Sequence, residues 1–292
     1  MTGAVLDPAA VARVVEEALR EDLGEAGDVT TAAIVDRSAE ASARLEARER
    51  LVVAGLPVAR TVFERLDPAV RFEARAPDGT EVEAGEVLAI VRGRAAALLA
   101  GERTALNFLM RMSGVATATR SAVREVEGTG ARILDTRKTM PGLRALDKYA
   151  VAVGGGTNHR FGLYDAVMIK DTHVGVAGTV GGAVRRALLA GHSRERVTAE
   201  ADTSEQLVEA LEAGAGRVLL DNMTPAELRE CVRIAAGRAV LEASGGLRPG
   251  RLREFAETGV DFLSLGWLTH SAPAVDIAME IEPTAGSGAG AR

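Results

Sequence analysis

Cysteine is nearly missing from this 292-residue chain, where Cys231 stands alone. One thiol closes no intramolecular disulfide and builds no thiolate metal site, so a disulfide scaffold is excluded and a reducing cytoplasm is the expected compartment. Missing too is any run of about 18 apolar residues, the length a membrane-spanning helix needs. The N-terminus "MTGAVLDPAAVARVVEEALREDLG" alternates charge with small apolar residues and has no uninterrupted apolar core, so no signal peptide is expected. No block of like charge occurs either. The formal net charge is -6 and the arginines are scattered among acids, which argues against a nucleic-acid or anionic-membrane surface. His159 and His173 are too far apart in sequence for a helical i, i+4 zinc pair.

What remains is apolar bulk. Hydrophobic residues make up 47% of the chain, enough to bury the core of one large domain or two smaller ones. Residues 8–22 read as an amphipathic helix with Val11, Val14, Val15, Ala18 and Leu19 on one face. "ARLEARERLVVAG" and "VRFEARAPDGTEVEAGEVLAIVRGR" alternate apolar and charged residues, as half-buried antiparallel strands do, with turns at Asp78-Gly79 and Ala84-Gly85. A helix is expected after Pro57. From Ala95 to Glu127 the pattern is helical, with a break expected at Ser113-Gly114, and the domain boundary is placed there. Beyond Gly130 short apolar runs, "RILD", "DAVMIK", "RVTAE", "RVLLD", "AVLEAS" and "VDFLSLG", alternate with helical segments. Strand alternating with helix predicts a parallel sheet. Six such units suggest an incomplete α/β barrel, with a doubly wound open sheet as the alternative.

Ligands of parallel α/β folds bind beyond the carboxyl ends of the strands. The first two runs end in cations and protonatable groups, Arg137 and Lys138, then Lys170 and His173. The third and fourth end in Glu200 and Asp221, the fifth in Glu242 and Ser244-Gly245-Gly246, and the last in Gly266. Any one such residue is ordinary loop chemistry, but their sorting by sign points to an anionic ligand. Arginine grips carboxylates and phosphates with a planar fork and lysine acts as a point charge. A close unit-charge pair at 4 Å is worth about 4 kcal/mol at an effective dielectric near 20, before desolvation. Glu200 and Asp221 suit vicinal hydroxyls or Mg²⁺, and the Ser244 to Gly246 turn offers N–H groups to a phosphate. Gly154-Gly155-Gly156 reads as a helix C-cap, His192 as a surface residue and Cys231 as packing. His270 is divided evenly between packing and phosphate contact.

Together "EDLGEAGDVTT", "GERTALNFLMRMSGVAT", "DTRKTMPGLRALDKYAV", "GGGTNHRFGLYDAVMIKDTHV", "LLDNM", "EASGG" and "GVDFLSLGWLTHS" resemble the quinolinate phosphoribosyltransferase family over nearly the whole chain. The resemblance implies an α/β architecture: an N-terminal α+β sandwich domain, then an incomplete parallel α/β barrel of about six strands. The expected bounds are 1–112 for the first, 113–271 for the second, 272–283 for a segment returning to the first, and 284–292 for a disordered tail. The implied activity joins quinolinate and phosphoribosyl pyrophosphate to give nicotinate mononucleotide, pyrophosphate and CO₂, with Mg²⁺, in a homodimer or a hexamer of dimers. Arg137, His159, Arg160 and Lys170 would bind quinolinate, with Arg103 reaching in from the neighbouring subunit. Lys138, Lys170, His173, Glu200, Asp221, Ser244, Gly245, Gly246, Gly266 and His270 would handle phosphoribosyl pyrophosphate, and Thr136, Ser264 and Leu265 complete the substrate-binding set. Lys170, Glu200 and Asp221 are the expected catalytic residues, and Glu200 and Asp221 the expected metal ligands.

The chain departs from the family pattern once, reading "TAEA" where "EVEV" is usual, so Thr198 replaces an acid while Glu200 survives. Altered metal binding is the most this implies. Three other readings stay open: a molybdenum-transport-associated paralogue with a similar "TRKT" and "HR" pattern, a Schiff-base aldolase using Lys170, and a non-catalytic anion-binding protein.

Overall fold

The computed structural model describes residues 5–283, so the expected tail at 284–292 lies outside the described residues. In chain order the elements begin with α1 (Pro8–Leu23), α2 (Val29–Ile34), β1 (Glu40–Ala47), β2 (Leu51–Val52), α3 (Leu56–Leu66), β3 (Arg71–Ala74), β4 (Glu81–Val82), β5 (Val87–Arg94) and α4 (Ala95–Glu125). Then come β6 (Arg132–Leu134), α5 (Arg144–Val153), β7 (Val167–Ile169), α6 (Asp171–Ala177), α7 (Val180–Leu189), β8 (Val197–Ala201), α8 (Ser204–Glu212) and β9 (Arg217–Asp221). The chain continues through α9 (Pro225–Ala235), β10 (Val240–Ser244), α10 (Leu252–Ala256), β11 (Phe262–Ser264), α11 (Trp267–His270) and β12 (Ile277–Pro283). It divides into two compact units. Among the described residues one comprises 5–118, 140–155 and 271–283; the other comprises 119–139 and 156–270.

The first unit holds an antiparallel sheet in the order β12-β1-β5-β3 and a two-stranded pair, β2 with β4. In β1 the residues Ala41, Ala43, Leu45 and Ala47 are buried and those between them are not, the alternation of a strand with one wet face. Asp7 caps α1 by accepting from the Ala9 N–H at 3.0 Å, and Pro8, which lacks an N–H, occupies the first turn. Asp78 fastens three segments: its carboxylate accepts from the N–H groups of Gly55 and Leu56 at the start of α3 and from the Tyr149 hydroxyl in α5.

The expected helix break at Ser113-Gly114 is not there, since α4 runs through it. Both residues serve packing instead. Ser113 is buried, and its Oγ accepts from the Ala54 N–H and donates to the Ala54 carbonyl. A Cβ on Gly114 would lie 2.1 Å from the Pro273 carbonyl oxygen, so glycine is the residue that allows this close approach.

The second unit holds six parallel strands in the order β6-β11-β10-β9-β8-β7. Neighbours follow chain sequence from β7 to β11, and β6, the earliest strand, pairs with β11, the last. This cyclic order has no reversal point, which sets aside the doubly wound sheet and leaves the barrel-like arrangement. No pairing joins β6 to β7 among the described residues; Thr157 instead bridges Leu134 at the β6 edge. The middle strands β8, β9 and β10 are buried almost throughout, as strands covered on both faces must be. Helices α7, α8 and α9 each begin with a threonine, Thr179, Thr203 and Thr224, whose hydroxyl accepts from a first-turn N–H.

Candidate active site

The site is assembled where these strands end. Period-two alternation puts Arg217, Leu219 and Asp221 on one face of β9, Val240, Glu242 and Ser244 on one face of β10, and Phe262 and Ser264 on one face of β11. Register places Glu200 and Glu242 beside Leu219, and Ser244 beside Asp221. Above this face lies a cavity of about 380 Å³ lined by Thr136, Arg137, Lys138, His159, Arg160, Met168, Lys170, Glu200, Leu219, Asp221, Glu242, Ser244 and Ser264. Ten of these thirteen residues were expected from the sequence as substrate-binding residues.

Cations occupy one side. The segment carrying His159 and Arg160 is tied to the end of β6: the Thr157 N–H donates to the Ile133 carbonyl, and the buried Asp135 carboxylate accepts from the His159 N–H at 2.7 Å and the Asn158 amide at 2.8 Å. The guanidinium of Arg160 donates to the Ala166 carbonyl at 3.0 Å. Burial and the neighbouring Arg137 charge both press the Arg160 guanidinium below its ordinary value. The Nε of Arg137 is buried and makes no hydrogen bond. Cations so placed are held ready for an anion.

Carboxylates face them. Glu200, Asp202 and Asp221 each offer an oxygen within 4.8 Å of the others. Burial, with the added repulsion of Asp221 and Asp171, raises Glu200 above the usual carboxylate range against the pull of Lys170, whose Nζ lies 3.6 Å away. An all-oxygen set of this kind fits Mg²⁺ with several waters retained. Asp202 was not foreseen, although its place two residues beyond Glu200 could have given the signal.

Two apolar lining residues escaped sequence reasoning, and one strand-end acid was named without a role. Met168 and Leu219 supply apolar wall, and Glu242, 1% exposed, forms the floor. Burial works to raise the Glu242 carboxyl, but His159, Ser264 and the Arg217 charge outweigh it and hold the group below the usual range.

Other expected residues stand around the cavity rather than in its lining. His173 is exposed and its Nδ1 accepts from the Lys170 N–H at 3.0 Å, shaping the loop that carries the lysine. The Gly245-Gly246 turn has positive φ at both residues, and a Cβ on Gly245 would meet Asn222 Oδ1 at 2.2 Å. Leu265 is buried, donating its N–H to the Leu134 carbonyl. Lys138 and the exposed His270 both lie against Gly266, and Thr269 donates to the Lys138 carbonyl at 2.9 Å. Thr198 is buried opposite Arg217 and leaves Glu200 in place two residues on. Arg103 lies in the first unit, in a different cavity of about 420 Å³, with its side chain 62% exposed and 4.0 Å from Glu102.

A cyclic parallel α/β sheet whose carboxyl ends set cations against carboxylates defines a barrel-type protein that binds a small polyanion. The chain belongs to the quinolinate phosphoribosyltransferase family. The family's N-terminal domain matches residues 28–113 and its C-terminal domain residues 115–280. It is 43% identical over 262 residues to a probable nicotinate-nucleotide pyrophosphorylase [carboxylating] of Bacillus subtilis, covering 89% of this chain and 90% of that protein. A chloroplastic protein of Arabidopsis thaliana with the same activity in its name is 40% identical over 92% of this chain and 82% of its own length. Among solved structures, the nicotinate-nucleotide pyrophosphorylase of Ehrlichia chaffeensis superposes with a TM-score of 0.88 at 39% identity, covering 93% of this chain and 98% of that one.

Proposed function

We propose that this chain transfers the phosphoribosyl group of phosphoribosyl pyrophosphate to quinolinate with decarboxylation, a step of NAD biosynthesis. The observation that carries this reading is the strand-end cavity itself, where Arg137, Arg160 and Lys170 face the carboxylates of Glu200, Asp202 and Asp221. The relatives described above are named for this activity, and neither is named as a transport-associated paralogue or an aldolase. Schiff-base chemistry is further disfavoured because Lys170 is half exposed and faces Glu200 rather than an apolar wall.

In this reaction the pyridine nitrogen attacks C1′ as the bond from C1′ to the pyrophosphate oxygen breaks. The positive ring nitrogen then stabilises the carbanion left when the 2-carboxylate departs as CO₂, and a proton from solvent completes the ring. Arg137, Arg160 and Lys170 hold the two carboxylates beside the sugar, which is where placement and electrostatics act. Lys138, the Gly245-Gly246 turn and Gly266 receive phosphate oxygens. Glu200, Asp202 and Asp221 would hold Mg²⁺, which when bound neutralises pyrophosphate charge.

Arg103 enters as a contribution from the partner of a homodimer, because it is a solvent-facing cation in the other unit. Arg103→Ala and Lys170→Ala proteins would each be inactive, and a mixture that exchanges subunits would regain activity, since one site of each mixed dimer is intact. The activity itself is tested by phosphoribosyl-pyrophosphate-dependent CO₂ release from quinolinate, with nicotinate in parallel. Quinolinate turns over and nicotinate does not, because a missing carboxylate leaves a desolvated cation unpaired at a cost of about 2–5 kcal/mol. Comparable use of nicotinate would overturn the dicarboxylate assignment.

A further inference from the structure

Lys138 and the Gly245-Gly246 turn lie far apart in sequence, and a phosphate group held by both requires them at a fixed separation. Neither fixes itself. Gly245 and Gly246 both have positive φ and little intrinsic stiffness, and Lys138 is an exposed loop residue. The entry to the turn is secured locally, where the Ser244 carbonyl accepts the Asn222 N–H at 2.9 Å. Its exit is secured from α11. The indole Nε1 of Trp267 donates at 3.1 Å to the carbonyl of Leu247, the residue after the turn. Two residues along the same helix, the Thr269 hydroxyl donates to the Lys138 carbonyl at 2.9 Å.

A helical threonine ordinarily returns its hydroxyl to a carbonyl one turn back. Here that carbonyl, of Gly266, is farther from the hydroxyl at 3.3 Å and already accepts the Thr269 and His270 N–H groups at 3.2 Å, so the hydroxyl proton goes to Lys138. Thr269 is fully buried, out of reach of solvent. The Lys138 N–H donates to Thr136 Oγ1 at 3.0 Å, and the lysine stem rests on Gly266, where a Cβ would lie 2.9 Å from Lys138 Cδ. Lys138 is therefore set at its N–H, its carbonyl and its stem, which leaves the ammonium to the cavity.

We propose that α11 braces the phosphate-receiving side of the cavity: Trp267 and Thr269 are positioning residues that act through the Leu247 and Lys138 carbonyls to hold the Gly245-Gly246 turn and Lys138 in one fixed relation. Neither residue is among those lining the cavity. Because a single four-residue helix carries both hydrogen bonds, losing either one frees the helix and disturbs both loops. That these loops take phosphate rests on the phosphoribosyl pyrophosphate reading above; the brace itself does not.

Hydrogen-exchange mass spectrometry of the full-length protein without ligands tests the brace whatever the substrate. Trp267→Phe keeps a ring and loses the indole N–H, and Thr269→Val keeps the shape and loses the hydroxyl. Each should speed exchange about threefold or more in both loops, 136–140 and 244–248, with β8 and β9 unchanged. Faster exchange confined to the loop that lost its bond, or seen in neither, would overturn the brace. Steady-state kinetics read its purpose. Each variant should raise KM for phosphoribosyl pyrophosphate about threefold to tenfold, the effect of one hydrogen bond, with KM for quinolinate changed less than about twofold. Thr269→Ser restores the hydroxyl and should recover most of that loss. The double variant should lose less than the product of the single effects, since both break the same brace. Equal rises in both KM values, full multiplication in the double variant, or no recovery by serine would reduce the two residues to packing. Should Thr269→Val fail to fold, Trp267→Phe still decides, because its effect on 136–140 reports the link between the loops. Loops loosened as expected, beside a wild type that does not turn over quinolinate, would refute the substrate reading and leave the brace standing.

Discussion

Two cavities of similar size treat their arginines in opposite ways. In the first unit Arg111 lines the space of about 420 Å³ and is closed off by Asp147, which is 1% exposed, accepts from its Nε and from NH2 at 3.0–3.2 Å, and also takes the Met140 N–H. In the second unit Arg137 and Arg160 line the space of about 380 Å³ side by side, and the buried Nε of Arg137 makes no hydrogen bond. The larger cavity closes Arg111 into a finished ion pair beside the exposed Arg103; the smaller sets Arg137 and Arg160 close together beside the Lys170–Glu200 pair. A cation satisfied by its own chain stabilises the chain, whereas a cation left facing a cavity waits for a ligand.

That contrast breaks most readily at Lys170. Lys170→Ala is expected to lower turnover about 10²–10³-fold with an unchanged unfolding midpoint, because the half-exposed lysine adds little to stability while a lost charge partner of the bound anion costs roughly 2–5 kcal/mol of binding or transition-state energy. Activity near wild type would show that the exposed cations of the second unit are idle. The reverse outcome is expected in the first unit. Arg111→Met should cost about 3–5 kcal/mol in urea unfolding, since it strands the Asp147 carboxylate in the interior. A loss below about 1 kcal/mol would mean that water reaches Asp147 and that the two cavities differ less than their geometry implies.

A smaller effect concerns the sign of Glu200. Its folded value is raised, so the folded state binds the proton more tightly than the unfolded chain, and stability declines as pH rises through the carboxylate range. Without metal, Glu200→Gln should therefore raise the unfolding temperature by roughly 2–4 °C at pH 7, where about 1 kcal/mol corresponds to that shift. The gain should fade below the unfolded value of the group and be offset when Mg²⁺ binds the wild type. A variant less stable than wild type at pH 7 would show that the Lys170 pair outweighs burial. The smallest effect belongs to His192, an exposed loop residue whose change to alanine should leave activity within about twofold, as surface substitutions do.

Most of the strand-end site was legible because the relation between parallel strands and ligand position is topological. Once "RVTAE", "RVLLD" and "AVLEAS" are read as strands, Glu200, Asp221 and Ser244 follow as rim residues. Glu242 was placed at the end of its strand but given no role: it lies two residues inside β10, and only its neighbours His159, Arg217 and Ser264 give it a chemistry. The error at Ser113-Gly114 has a related origin. Serine followed by glycine lowers helix propensity, but propensity is a weak prior beside the packing of Gly114 against the Pro273 carbonyl.

Sequence alone determined the alternation of strand and helix, the amphipathic face of α1, the caps and turns, and the collection of cations and acids at the strand ends, because each depends on neighbours within a few residues. Tertiary structure alone decided three things. It made the strand order cyclic by pairing β6 with β11, it returned residues 140–155 to the first unit, and it chose which charges were neutralised internally. These depend on contacts between residues tens of positions apart or more, such as Arg111 with Asp147, Tyr149 with Asp78 and Arg132 with Phe262, and no local pattern encodes which distant partner a strand or a charge will meet.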